Sequence, residues 1–116
     1  MAASKLPDKL FVYGTLAPGK ENDHFLNNLT GQWRPAKVKG QLFPNGKGVV
    51  KGYPVVDVEQ NTMLIKGQVF QSTELQKIWS ILDDFEGKGY RRVIVDVQYL
   101  DGTIEAAYIY AFDPLA

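Results

Sequence analysis

The stretch Leu82–Arg92, LDDFEGKGYRR, sets three carboxylates, Asp83, Asp84 and Glu86, just ahead of Arg91 and Arg92. The residues before it have helical spacing, so the acids fall in the last turn of a helix. There the backbone dipole is negative, and a carboxylate is disfavoured by about 0.3–1 kcal/mol at an exposed site. Two readings follow. In one, the acids are solvated and Glu86 pairs with Arg91 or Arg92, a surface contact contributing roughly 0–1 kcal/mol. In the other, Glu86 faces inward beside Phe85 and Tyr90. Burial, the dipole and the neighbouring acids would then lift its pKa from about 4.3 toward neutrality. A carboxyl tuned that way takes and returns a proton near pH 7. Position along the chain does not choose between them.

A second candidate is Val12–Leu16, VYGTL. A strand that stops at a glycine leaves successive amides pointing into one space, a small anion-binding concavity. Gly14 admits a ligand close to the backbone, and Thr15 adds a hydroxyl. The plainer reading is a strand-end turn with nothing bound.

Other motifs stop sooner. Gly46–Gly52 reads G-x-G-x-x-x-G, one residue off the dinucleotide fingerprint and without its strand-then-helix setting, so it is read as a loop. His24 has only serines outside activating motifs (Ser4, Ser72, Ser80) as partners for a triad, and is placed on a helix surface. Asp57 and Glu59 alternate along a strand and read as solvated. Tyr99, Tyr108 and Tyr110 are explained by packing.

The totals narrow the classes. With 116 residues, 45% hydrophobic and 22% charged, the chain reads as one globular domain over residues 1–116, with residues 1–8 as an N-terminal tail. Thirteen basic and thirteen acidic residues cancel, so no nucleic-acid or membrane partner is indicated. The absence of cysteine excludes disulfides and thiolate metal sites, and a single histidine disfavours a His-based zinc site. No stretch resembles a signal peptide or approaches the ~20 apolar residues of a membrane span. A cytoplasmic protein is expected.

The positioning elements read as strand, short helix, several strands, helix and two strands. Leu10–Tyr13 is a short strand. Phe25, Leu26 and Leu29 mark one face of a short helix, with Asn22 as its N-cap. Ala36–Phe43 is a strand with a bulge or bend at Gly40; Pro54–Glu59 and Thr62–Phe70 are two more. The clearest helix begins at Ser72 or Thr73, with Gln76 completing a capping box. It carries Leu75, Ile78, Leu82 and Phe85 on one stripe and ends at Gly87. Asp101-Gly102 then joins two alternating runs as a hairpin. Short strands bending at Gly40 and Gly67 suit an α+β fold: a small, mixed, strongly curved or closed β-barrel with flanking helices.

LFVYGTLAPGKENDHFL, GYPVV, IKGQVF and LDDFEGKGYRRVIV, in that order, resemble the γ-glutamylcyclotransferase-like (AIG2-like) family. The likeness runs from about Leu10 to Phe112, and the pairing of YGTL with LDDFE is most similar to the γ-glutamylamine cyclotransferase branch. The resemblance implies a small mixed barrel and an enzyme that needs no cofactor or metal. Such an enzyme would close the glutamyl part of a small γ-glutamyl compound to 5-oxoproline by intramolecular aminolysis, releasing an amine or amino acid. By the family pattern, Glu86 is the catalytic carboxylate. Tyr13, Gly14, Thr15 and Leu16 match the loop that grips the glutamyl head, and Tyr90 and Arg92 the aromatic and basic positions after the acid. A binding module for glutamyl-like anions, using the same pocket without turnover, is the alternative. Which amine leaves, and the oligomeric state, are not readable.

Overall fold

The computed structural model describes residues 6–116. Residues 1–5 of the expected tail lie outside the described residues. Six strands and two short α-helices form in the order β1 (Lys9–Val12), α1 (His24–Asn27), β2 (Gln32–Phe43), β3 (Val55–Asp57), β4 (Met63–Gln71), α2 (Trp79–Glu86), β5 (Tyr90–Tyr99) and β6 (Ile104–Phe112). A 3-10 segment, Thr73–Lys77, leads into α2.

The sheet closes on itself. Strand order is β3-β2-β4-β1-β6-β5, and β5 returns to β2 through Ala36 opposite Tyr99 and Lys37 opposite Gln98. Five strands therefore form a closed barrel, with β3 attached to the far end of β2. All pairings are antiparallel except β1 with β6, where Leu10 lies opposite Tyr108, so the barrel is mixed. The expected architecture is the observed one.

Strand alternation divides the core in two. Phe11, Val38, Ile65, Val69, Val97 and Ile109 fill the barrel interior. Leu10, Val12, Phe70, Tyr108 and Tyr110 turn outward and are covered by α1, the 3-10 segment and α2, which contribute Leu26, Leu75 and Leu82. β1 and the second half of β6 are thus buried on both faces, so LFV and AYIYA are continuous apolar runs, and the alternation expected of the last strand is not kept there. Gly67 lets β4 pass over Phe11: a Cβ there would meet the Val12 carbonyl oxygen at 2.6 Å.

Several local expectations are corrected. Gly40 is not a bulge; it is where β2 changes partner, from β4 (up to Met63) to β3 (from Asp57). The predicted single helix is broken at Ile78 (φ −124°, ψ 4°), and only its second part is α-helical. Ser72 caps the first part, its hydroxyl accepting from the Glu74 amide at 3.1 Å, in place of a Thr73–Gln76 box. Asp57 is buried rather than solvated. Its carboxylate accepts from Lys47 Nζ (2.9 Å), Gln60 Nε2 (2.9 Å) and the Glu59 amide (3.0 Å). Burial alone would raise its pKa, but these donors outweigh that and hold it below the usual carboxylate range. Lys47 also lies over the rings of Phe43 and Phe112, so the 44–52 loop is anchored to the barrel and delivers Tyr53 and Pro54 to one fixed place.

Candidate active site

A cavity of about 410 Å³ opens where β1 ends and α2 ends. Its floor is buried and comes from Leu10, Phe11, Val12 and Tyr110. One wall is the Tyr13–Leu16 turn, and the opposite wall is Glu86 with Tyr90. Glu21, Tyr53 and Phe85 form an exposed rim. The carboxylate and the amide turn, far apart in the chain, therefore share one hollow.

Each wall has a local cause. Leu82 is fully buried under α2 and fixes the helix on the barrel; burying such a side chain contributes about 1.5–3 kcal/mol. Glu86 is the last residue of α2. Gly87 follows at φ 69°, where its amide reaches the Asp83 carbonyl at 3.1 Å and turns the chain away. On the other side, Ala17 N–H donates to the Gly14 carbonyl (3.1 Å) and tightens the turn. Asn22 then clasps it twice: its amide donates to the Thr15 carbonyl (3.0 Å) and its side-chain Nδ2 to Thr15 Oγ1 (3.0 Å). Asn22 is thus a loop brace; the residue before α1 is Asp23. Among the described residues, the amides of Gly14, Thr15 and Leu16 meet no acceptor outside the strand ladders. They are free to bind an anion.

The ion-cluster reading fails for Glu86 and holds for its neighbour. Arg92 makes a two-point contact with Asp83 (2.9 and 3.2 Å) and lies over the rings of Trp79 and Tyr108. Arg91 reaches Glu59 at 3.1 Å. Arg92 holds Asp83 below the usual carboxylate range against the opposing effect of burial, and the Tyr110 hydroxyl assists with a 2.6 Å bond. Glu86, half-buried and without a cationic partner among the described residues, is pushed up by burial to about 7. Its position at the helix C-terminus acts in the same direction.

Of the residues singled out from sequence, Glu86, Tyr13, Gly14, Thr15, Leu16 and Tyr90 line the cavity, and Arg92 does not. Arg92 sits two positions beyond Tyr90 on the same strand, about 7 Å further along, where Asp83 captures it. Tyr13 and Tyr90 present rings rather than free hydroxyls. The Tyr13 hydroxyl donates to the Tyr110 carbonyl (2.6 Å) and accepts from the Val56 amide (3.2 Å). The Tyr90 hydroxyl donates to the Pro54 carbonyl at 2.8 Å. Burial and the Glu86 charge push Tyr90 up to about 12, so it stays protonated and keeps that bond. Sequence reasoning missed Glu21, Tyr53 and Tyr110. The glycine-dense loop around Tyr53 and the hydrophobic pattern around Tyr110 gave no sign of a shared cavity. Among the described residues no cluster of three or more His, Asp or Glu could hold a metal ion, and no helix is long and apolar enough to cross a membrane.

Comparison with known proteins agrees with this fold. Residues 10–116 match the family model described as gamma-glutamyl cyclotransferase, AIG2-like. A gamma-L-glutamyl-butirosin B gamma-glutamyl cyclotransferase from Niallia circulans is 33% identical over 88 residues, which cover 75% of this chain and 53% of that protein. The chain therefore spans about half the length of that curated relative. YkqA from Bacillus subtilis superposes with a TM-score of 0.70 at 32% identity, over 93% of this chain and 36% of that one. An AIG2-like protein from Mus musculus shares the fold (TM-score 0.70, 20% identity, 93% and 80% covered). With the family model spanning almost the whole chain and the barrel repeated in its relatives, this protein belongs to the AIG2-like γ-glutamyl cyclotransferase family.

Proposed function

We propose that the protein converts small γ-glutamyl compounds to 5-oxoproline and a free amine, with Glu86 as the proton shuttle. One observation carries this: an unpaired, half-buried carboxyl held near neutrality faces a turn of unpartnered amides across a single cavity. Family membership supports the reaction class, and the curated relative's name assigns a γ-glutamyl cyclotransferase activity to that protein.

The chemistry follows from the geometry. The substrate's α-carboxylate occupies the Gly14–Leu16 amides, which leaves its α-amino group and γ-carbonyl directed toward Glu86. Ionised Glu86 takes a proton from the α-ammonium. The freed nitrogen then attacks the γ-carbonyl carbon of the same molecule, forming the ring C–N bond and an oxyanion. Protonated Glu86 returns the proton to the leaving nitrogen. The old C–N bond breaks, and the ring nitrogen's second proton passes by the same carboxyl to the departing amine. Two protons move from ring nitrogen to leaving nitrogen, and Glu86 ends ionised as it began. Nucleophile and carbonyl belong to one molecule, so holding the folded conformer supplies much of the acceleration; effective molarities of about 10⁵–10⁸ M are reached in such ring closures. The proton shuttle adds about 10²–10⁴-fold.

The test is Glu86→Gln, which retains the shape and loses the base. Incubated with γ-glutamyl amides and γ-glutamyl dipeptides, the wild type is expected to release 5-oxoproline by mass spectrometry, and the variant at least about 100-fold less. Catalysis needs ionised Glu86, so wild-type kcat/KM is expected to fall below a midpoint near its pKa of about 7. Undiminished turnover by the variant would remove Glu86 from the mechanism. Binding of γ-glutamyl compounds with no product from any of them would instead identify a binding module.

A further inference from the structure

The rim of the cavity carries a feature that the ring closure does not use. Glu21 lines it from the segment between the Gly14–Leu16 turn and α1. It is the only carboxylate besides Glu86 in the lining, and among the described residues no lysine, arginine or histidine lines the cavity at all. Lys20 and Lys88, the nearest cations in sequence, both lie outside the lining and are exposed. Glu21 pairs with no cation among the described residues. Its backbone is not free to wander, because Asn22 is clasped to Thr15 by two 3.0 Å bonds. The remaining rim is apolar and aromatic: Tyr53, and Phe85 backed by Phe25 with ring centroids 4.5 Å apart.

This geometry has a direction. With the glutamyl head on the amide turn and its amide at Glu86, the departing part of the substrate must lie toward the rim. A departing group that carries a carboxylate, as in a γ-glutamyl amino acid, would face Glu21 and Glu86 with no counter-charge. A positively charged one would meet Glu21 in a cleft whose walls intensify the field. We infer that Glu21 selects the leaving group: the preferred substrates are γ-glutamyl amides of amines that bear a second positive charge on a flexible apolar stem and no carboxylate. This rests on the proposed cyclisation.

Three substrates of matched length test it: the mono-γ-glutamyl amide of 1,4-diaminobutane (cationic), that of n-pentylamine (neutral) and γ-glutamyl-4-aminobutyrate (anionic). Wild-type kcat/KM is expected to fall in that order, with about three- to tenfold per step for a partly exposed charge contact. Glu21→Gln should bring the cationic-to-neutral ratio toward one, and Glu21→Lys should place the anionic substrate above the cationic one. Equal turnover of all three by wild type, or Glu21 variants that change all three alike, would overturn the inference. If none is turned over, the cyclisation proposal fails separately, and the question is then decided by calorimetric binding to Glu86→Gln. The same order of affinity, abolished by adding Glu21→Gln, would uphold the role of Glu21. No order, or no binding, would end it.

Discussion

The two sides of α2 treat one kind of side chain in opposite ways. Asp83 faces Arg92 and the Tyr110 hydroxyl, which satisfy it and hold it ionised. Glu86, three residues on, meets the cavity, and burial without a partner drives it toward the neutral acid. Both are carboxylates in the last turn of one eight-residue helix, so neither residue type nor helix position explains the contrast. The environment does. The two arginines nearest in sequence are both taken, Arg91 by Glu59 and Arg92 by Asp83, and this leaves Glu86 without a counter-charge among the described residues.

The sharpest way to break this contrast is to remove each charge in turn and follow stability against pH. The largest effect is expected at Glu86. Its folded pKa of about 7 lies above the ordinary 4.5, so its ionisation opposes folding. Below pH 4.5 the group is neutral in both states and costs nothing. Stability is lost as pH rises from there to 7, and the penalty then levels off at about 3 kcal/mol. Glu86→Gln should therefore melt several degrees higher than wild type at pH 8, and the gap should close by pH 4.5. A variant less stable at pH 8 would mean that Glu86 is satisfied after all.

Asp83→Asn should do the reverse. Asp83's pKa is lowered, so its contribution is present above its unfolded value of 3.8 and disappears as pH falls through the folded pKa. The side chain is 42% exposed, which discounts the pair to about 1 kcal/mol at neutral pH. Chemical denaturation of both variants at pH 7 should give shifts of opposite sign. The same sign would refute the idea that the two faces of α2 differ. The smallest effect is expected at the other wall. Asn22→Ala removes one bond from the Thr15 clasp and should cost about 1 kcal/mol or less in stability. Because it loosens the turn proposed to bind the substrate carboxylate, KM for a γ-glutamyl substrate should rise more than kcat falls; a fall in kcat alone would place Asn22 elsewhere in the cycle.

How far these walls could be read from sequence depended on whether the signal was local. Glu86 at a helix end was legible because Gly87 marks that end through its positive φ, and the Asp101-Gly102 turn located the last hairpin. Tyr13–Leu16 was legible because a strand breaks there at a glycine. The roles of Asp83, Arg92 and Asp57 were not. Each is decided by a partner in another element: Arg92 by a helix residue, and Asp57 by a lysine in the glycine-dense loop. Asn22 had a sound local reading as an N-cap, but its side chain donates to Thr15 Oγ1 while its amide holds the Thr15 carbonyl, and the helix start was left to Asp23. The helix break at Ile78 was hidden because Leu75 and Leu82 keep a helical phase across it, and both reach the same core.

The parallel seam between β1 and β6 has a consequence for how the molecule comes into being. Leu10 and Phe11 lie beside Tyr108 and Ile109, so the cavity floor joins strands that are far apart in the chain. Until β6 docks, the folding chain has no Tyr110 beneath the cavity, and β1 keeps an open edge. The complete cavity should therefore appear abruptly, when β6 docks. Pairings of such long sequence separation also place the protein among slow-folding topologies, with β1 the segment most in need of shelter while it waits.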